Sequence, residues 1–260
     1  MFAEYVAPSE VSPESIRGFF DKLKAHLVAS GNGVKDEPQP ANLYKEVSKR
    51  VGPLSRKNHE SIGSAVMLFC LEGEDLANRI RRYQYIERYR SMVDDETQKE
   101  MVQALTEHTY TLRSYEIYTV LERATQTLKF GHEVAKAINL PSVMNDKKYE
   151  KQMKKEFEHR LRERHRIVHA HERPSLVSRI TALAPEAFKV PEVQNYLIAL
   201  IKMNSSMLRL LKQKHPEIKM PDASDKGFYR GYLARVDEEA KNMWELFKTY
   251  IEECVGMQQT

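Results

Sequence analysis

Six consecutive residues, Arg164-His165-Arg166-Ile167-Val168-His169, bring together side-chain types that handle phosphate esters. A histidine takes up or releases a proton near neutral pH, because its ordinary pKa is about 6.5. A guanidinium holds two phosphoryl oxygens at once and offsets the charge that gathers on them in a transition state. Arg164 and His169 stand five positions apart, and Arg166 and His171 repeat that spacing two residues later. With Lys155, Arg160 and Arg173 close by, the segment is a candidate site for gripping a phosphate ester and moving a proton on it.

The elements around it must position these groups. Residues 147–166 hold nine Lys or Arg against four Glu, an excess larger than the formal net charge of +4 on the whole chain. Such a ridge suits a polyphosphate partner, which gains affinity by releasing counterions. Charge alone also fits a solvated helix face laced with Glu/Lys pairs. Tyr149, Met153, Phe157 and Leu161 recur every four residues, which predicts one helix over about 146–170 with a single apolar edge, broken at Pro174. At about 100° per residue, with Leu161 at zero, Val168 falls near −20°, Arg164 near −60°, His165 near +40° and His169 near +80°. Arg166 falls near roughly 140°, on the outer face. Arg164 and His169 therefore flank the packed seam, and this pair is favoured over Arg166 and His171.

The order Arg164, a polar His165, three further residues and His169, with Ile167-Val168 ahead of the last histidine, resembles the motif of the HEPN superfamily. The resemblance rests on this one helix, with looser support from the long helices around it. It implies a metal-independent ribonuclease that needs no cofactor. In that chemistry the RNA 2′-hydroxyl attacks the adjacent phosphorus, leaving a cyclic phosphate and a 5′-hydroxyl end. His169 would then be the general acid/base, Arg164 the phosphate clamp, and His165 the group that orients or polarises the site. Arg166, His171, Arg173, Arg160 and Lys155 would bind RNA backbone. Residues five apart on a helix point about 140° apart, so one Arg/His pair converges poorly on one phosphate. Family members solve this as dimers with a composite cleft, which implies a homodimer with the motif helices at its interface. Related toxins carry a Tyr two residues after the motif His as a modification target. His171 stands there in this chain, which puts that mode of control in doubt. Antiviral defence, toxin–antitoxin and stress roles stay open, with a regulatory antitoxin or defence protein as a further partner. Some HEPN-like domains have lost catalysis, so an inactive RNA-binding or assembly module is the alternative.

Composition frames the fold. The 260 residues are 41% hydrophobic and 30% charged, with 10 Gly and 11 Pro, and helical periodicity dominates them. The expected architecture is an all-α bundle over 58–260, HEPN-like, with a helical N-terminal extension and linker over 1–57. Helices are expected at about 13–31, 43–51, 58–92, 95–138, 146–170, 191–214 and 225–255, with a loop over 215–224. Tyr110–Val120 is rich in Thr and Tyr but lies inside a helical pattern. Cys70 reads as a buried small hydrophobe, Trp244 as core, and Glu116 and Tyr118 as groups that could reach the site. Arg79, Arg81, Arg82, Arg88 and Arg90 lie among Tyr83, Tyr85 and Tyr89, either as an RNA-stacking surface or as arginines snorkelling over a core face. The His-x-His-Glu run at 169–172 has no accompanying Cys or second carboxylate–His pair, so no metal is assigned. Residues 1–15 lack the pattern of an export signal and the longest apolar run, Ala65–Leu71, is far short of a membrane span. The expectation is a cytoplasmic protein with no membrane contact.

Overall fold

A computed structural model describes residues 8–31, 37–52, 59–85, 99–169 and 225–257, with the side chains of 99–111, 163, 166–167, 169 and 225–233 outside that description. Among the described residues the protein is all-α. It consists of α1 (Pro13–Ser30), α2 (Ala41–Val51), α3 (Ile62–Tyr83), α4 (Lys99–Ala137), α5 (Asp146–Glu156), α6 (Glu158–His169) and α7 (Asp225–Cys254). No described helix is long and apolar enough to cross a membrane.

Local chemistry accounts for several boundaries. The Ser12 hydroxyl accepts the Ser15 N–H at 3.1 Å, Pro13 opens α1, and Glu14 sits in its first turn against the positive end of the helix dipole. Ser61 caps α3 in the same way, accepting the Ser64 N–H at 3.2 Å. Gly52 follows α2 at φ 71°, a left-handed conformation that costs glycine nothing. Tyr110–Val120 is helical, inside α4. The helices expected over 58–92 and 95–138 correspond to α3 and α4, but α3 is shorter than expected, ending at Tyr83 with a turn at 84–85, and residues 86–98 lie outside the described residues. Asp94, Asp95, and everything expected over 191–224 lie outside the described residues.

The basic helix is not continuous. It breaks at Phe157, whose backbone sits at φ −108°, ψ 23°, between α5 and α6. No Gly or Pro marks the break. Phe157 is buried, its N–H still reaches the Met153 carbonyl, and the Leu161 N–H reaches the Phe157 carbonyl. The kink thus keeps the apolar edge packed without leaving these groups unpaired.

Contacts divide the chain into two compact units. The first comprises 1–83, 116–161 and 238–260, so the boundary expected after residue 57 falls inside it. There α1 and α3 share one core with the end of α7: Phe19 meets Phe20 and Trp244 edge-on at 5.1 and 5.3 Å, and Trp244 is fully buried. Phe69 on α3 meets Phe130 on α4 edge-on at 6.0 Å. Arg50 closes over Phe130 at 4.4 Å from the ring centroid, while its other atoms pair with Glu46 and Glu72 and donate to the Gln126 carbonyl. Both cysteines are buried in this unit, and burial pushes the Cys70 thiol up to about 11. The second unit comprises 84–115 and 162–237. Among its described residues Gln84, Arg113, Ser114, Val236 and Asp237 are buried.

Two substitutions test this packing. A Cβ at Gly131 would lie 2.6 Å from the Phe69 ring. Gly131→Ala should therefore destabilise by about 1–3 kcal/mol in urea unfolding, despite the helix propensity it adds. Tyr149 is fully buried against Tyr250, and its hydroxyl has no hydrogen-bond partner among the described residues. Tyr149→Phe should be neutral or stabilising by up to about 1 kcal/mol.

Candidate functional site

Helix α6 carries Arg164, His165, Arg166 and His169 on its last turns, so the motif lies on regular helix as the wheel requires. Leu161 and Val168 are half-buried along the expected seam. Arg164 is also half-buried, and its guanidinium carbon lies 5.8 Å from the centre of the Tyr115 ring on α4. At that distance the cation–π attraction is weak, about 0.5–1 kcal/mol, but it gives the guanidinium a preferred side. His165 is exposed. The Arg166 and His169 side chains lie outside the described residues, as do His171 and Arg173.

Arg160, one turn before Arg164, is turned into the first unit. Its Nε and Nη2 donate to Glu239 Oε1 on α7 at 3.2 and 3.0 Å. The Tyr83 hydroxyl donates to the other oxygen of Glu239 at 2.5 Å. The two charged side chains are only 11% and 15% exposed. In such surroundings an ion pair is screened little, and loss of one member strands the other. Arg160 therefore anchors the base of α6, whereas the sequence suggested an RNA contact. Lys155, on α5, is exposed.

The remaining sequence candidates are engaged elsewhere. Glu116 binds Arg79 through two hydrogen bonds of 2.5 and 3.0 Å, and Tyr118 donates to Glu122. Arg82 reaches Asp75 at 3.6 Å in an exposed ion pair, and Tyr83 is buried. Arg88, Tyr89 and Arg90 lie outside the described residues. Among the described residues no group of three His, Cys, Asp or Glu side chains is placed to hold a metal ion. The sequence did not single out Tyr115 or Glu239, because their partners lie 49 and 79 residues away and no local pattern announces either.

A second histidine cluster has the residue types of a nucleophilic pair. His132 Nδ1 lies 2.7 Å from Ser142 Oγ, and that hydroxyl donates to the Cys254 carbonyl at 2.6 Å. The hydroxyl proton is therefore committed to the carbonyl, and Nδ1 must carry the proton it donates to Oγ. A base cannot draw a proton from an oxygen it is itself protonating. The arrangement pins the loop after α4 to the end of α7. Burial, and secondarily Lys136, hold the His132 imidazole below the ordinary histidine range, while Glu133 and Asp146 oppose that shift.

No family model matches the chain, and no curated protein or solved structure is significantly similar to it.

Two predictions follow from these clusters. Glu239→Ala should cost on the order of 3 kcal/mol in urea unfolding, and the Arg160→Met/Glu239→Leu double variant clearly less, because it strands no charge. For His132 the folded pKa is depressed, so the unfolded chain binds the extra proton as pH falls below about 6.5. Its contribution to stability is present above that pH and is lost on acidification through the folded pKa. The melting temperature should fall between pH 7 and 5, and His132→Gln should flatten that slope while lowering the pH 7 value.

Proposed function

We propose that the protein is a metal-independent endoribonuclease of the HEPN type, with Arg164 and His169 as its working pair and His165 assisting. The observation that carries this reading is that α6 is helical over the whole motif, with Arg164 at the flank of a half-buried seam beside Tyr115 and His165 exposed next to it. A guanidinium seated this way is partly desolvated, which strengthens its hold on a phosphate.

In this reading Arg164 binds the non-bridging oxygens of the scissile phosphate. His169 takes the proton from the 2′-hydroxyl as that oxygen attacks phosphorus, or delivers one to the departing 5′-oxygen. One histidine cannot do both in one step, and His165 or the His169 of a second copy fills the other role. The roughly 140° between Arg164 and His169 favours the second copy. A two-fold axis perpendicular to antiparallel motif helices, crossing midway between the two residues, sets Arg164 of each copy opposite His169 of the other. Arg166, His171 and Arg173 hold the flanking backbone. Defence, toxin and stress roles all accommodate this activity, with a regulatory partner to restrain it in the cell.

The test is cleavage of a labelled single-stranded RNA in EDTA. Wild-type protein should leave 2′,3′-cyclic phosphate and 5′-hydroxyl ends. His169→Ala should slow cleavage by about 10²–10⁴ and Arg164→Ala by about 10²–10³. Light scattering should give twice the chain mass. Equal cleavage by both variants sinks the reading, and RNA binding without cleavage by the wild type turns it into an inactive binding module.

A further inference from the structure

We infer that the outer face of α5 is a backbone-tracking ridge for single-stranded RNA, on which Lys147, Lys151 and Lys155 each engage one phosphate. This rests on the ribonuclease reading for its ligand, and its evidence lies in α5 itself. The helix buries Tyr149 and Met153, and Phe157 at its end, along one edge. All five of its lysines are exposed, but they are used differently. Lys154 pairs with Glu150 one turn back, and the Lys148 ammonium lies 5.7 Å from the Tyr250 ring. The nearby polar groups are also occupied: Gln152 accepts the Tyr250 hydroxyl, and Glu156 accepts from Asn242. Lys147, Lys151 and Lys155 take part in no ion pair among the described residues.

These three lie at i, i+4 and i+8, so they form one row on the side away from the buried edge. At 1.5 Å per residue they are spaced by about 6 Å. That is comparable to the separation of successive phosphates along an extended strand. Like charges at this spacing oppose each other by a few tenths of a kcal/mol per pair. An anionic strand removes that repulsion as it binds. Lysines act here as point charges on mobile stems, which suits contact with any sequence. A straight row also favours a strand free to straighten over a duplex whose backbone curves away.

The experiment uses the full chain and a fluorescent 2′-O-methyl RNA 12-mer, which lacks the attacking hydroxyl and so reports binding without cleavage. Affinity is measured by anisotropy across a salt series. The slope of log affinity on log salt should be shallower by about 2 in the Lys147→Gln/Lys151→Gln/Lys155→Gln variant, at about 0.7 per phosphate contact on a single strand. A control variant with the same net charge, Lys22→Gln/Lys24→Gln/Lys45→Gln, should keep the wild-type slope. Circular dichroism and urea unfolding confirm that both variants fold. An unchanged slope in the α5 variant overturns the ridge, as does an equal loss in the control. So does wild-type protein that ignores the RNA and binds vesicles containing phosphatidylserine through these lysines. Cleavage of unmodified RNA is scored separately: a shallower slope without any cleavage supports the ridge and sinks the nuclease reading, and cleavage with an unchanged slope does the reverse.

Discussion

The carboxylate of Glu239 is the point on which the motif helix depends. It accepts Tyr83 from α3 on one oxygen and Arg160 from α6 on the other. An ion pair this little exposed adds modest net stability, because both partners lose hydration. What it supplies is uniqueness of arrangement. Arg160 has one low-energy place to be, and a slip of α6 along its axis or about it would leave two charges and a phenol without partners. The turns that carry Arg164, His165 and His169 begin from that anchored arginine.

The same anchor divides the basic charge of residues 147–166 into different uses. Arg160 serves the interior, Lys154 serves its own helix, and Lys148 lies by an aromatic ring. A simple tally of charge treats all of these as equal candidates for a polyanion. Lys147, Lys151 and Lys155 lie exposed on the outer face of α5, and Arg164 on α6 is half-buried beside Tyr115. The break at Phe157 separates these regions without interrupting the apolar edge. Its cost is small, since the Phe157 N–H and carbonyl both keep helical partners.

Much of the helical layout is legible in the sequence because its causes are local. Ser12, Pro13 and Glu14 announce the start of α1, and Gly31 its end. The four-residue recurrence of Tyr149, Met153 and Phe157 announces the buried edge of α5. The break after Glu156 is not legible, because Phe157 is an ordinary apolar residue and only the packing around it selects its backbone angles. The two units are hidden for a related reason. Helix α4 runs from residue 99 to 137 without interruption, yet its beginning and end belong to different cores. Periodicity reports that a helix has an inner side and says nothing of which partner covers it.

The site was legible in the same partial way. Residue type and spacing pick out Arg164 and His169 as candidates, since a guanidinium and an imidazole on one helix are visible within six residues. The groups that give Arg164 its surroundings lie far off in sequence. Tyr115 reaches it from α4, and Glu239 holds the preceding turn from α7. Arg160 shows the consequence. On the wheel it sits one turn from Arg164 and shares its charge, so sequence alone assigns both to RNA. Their partners separate them: Arg160 is held by two hydrogen bonds to the Glu239 carboxylate, and Arg164 lies beside the Tyr115 ring. The surroundings of each arginine on this helix are therefore set by partners distant in sequence as much as by residue type.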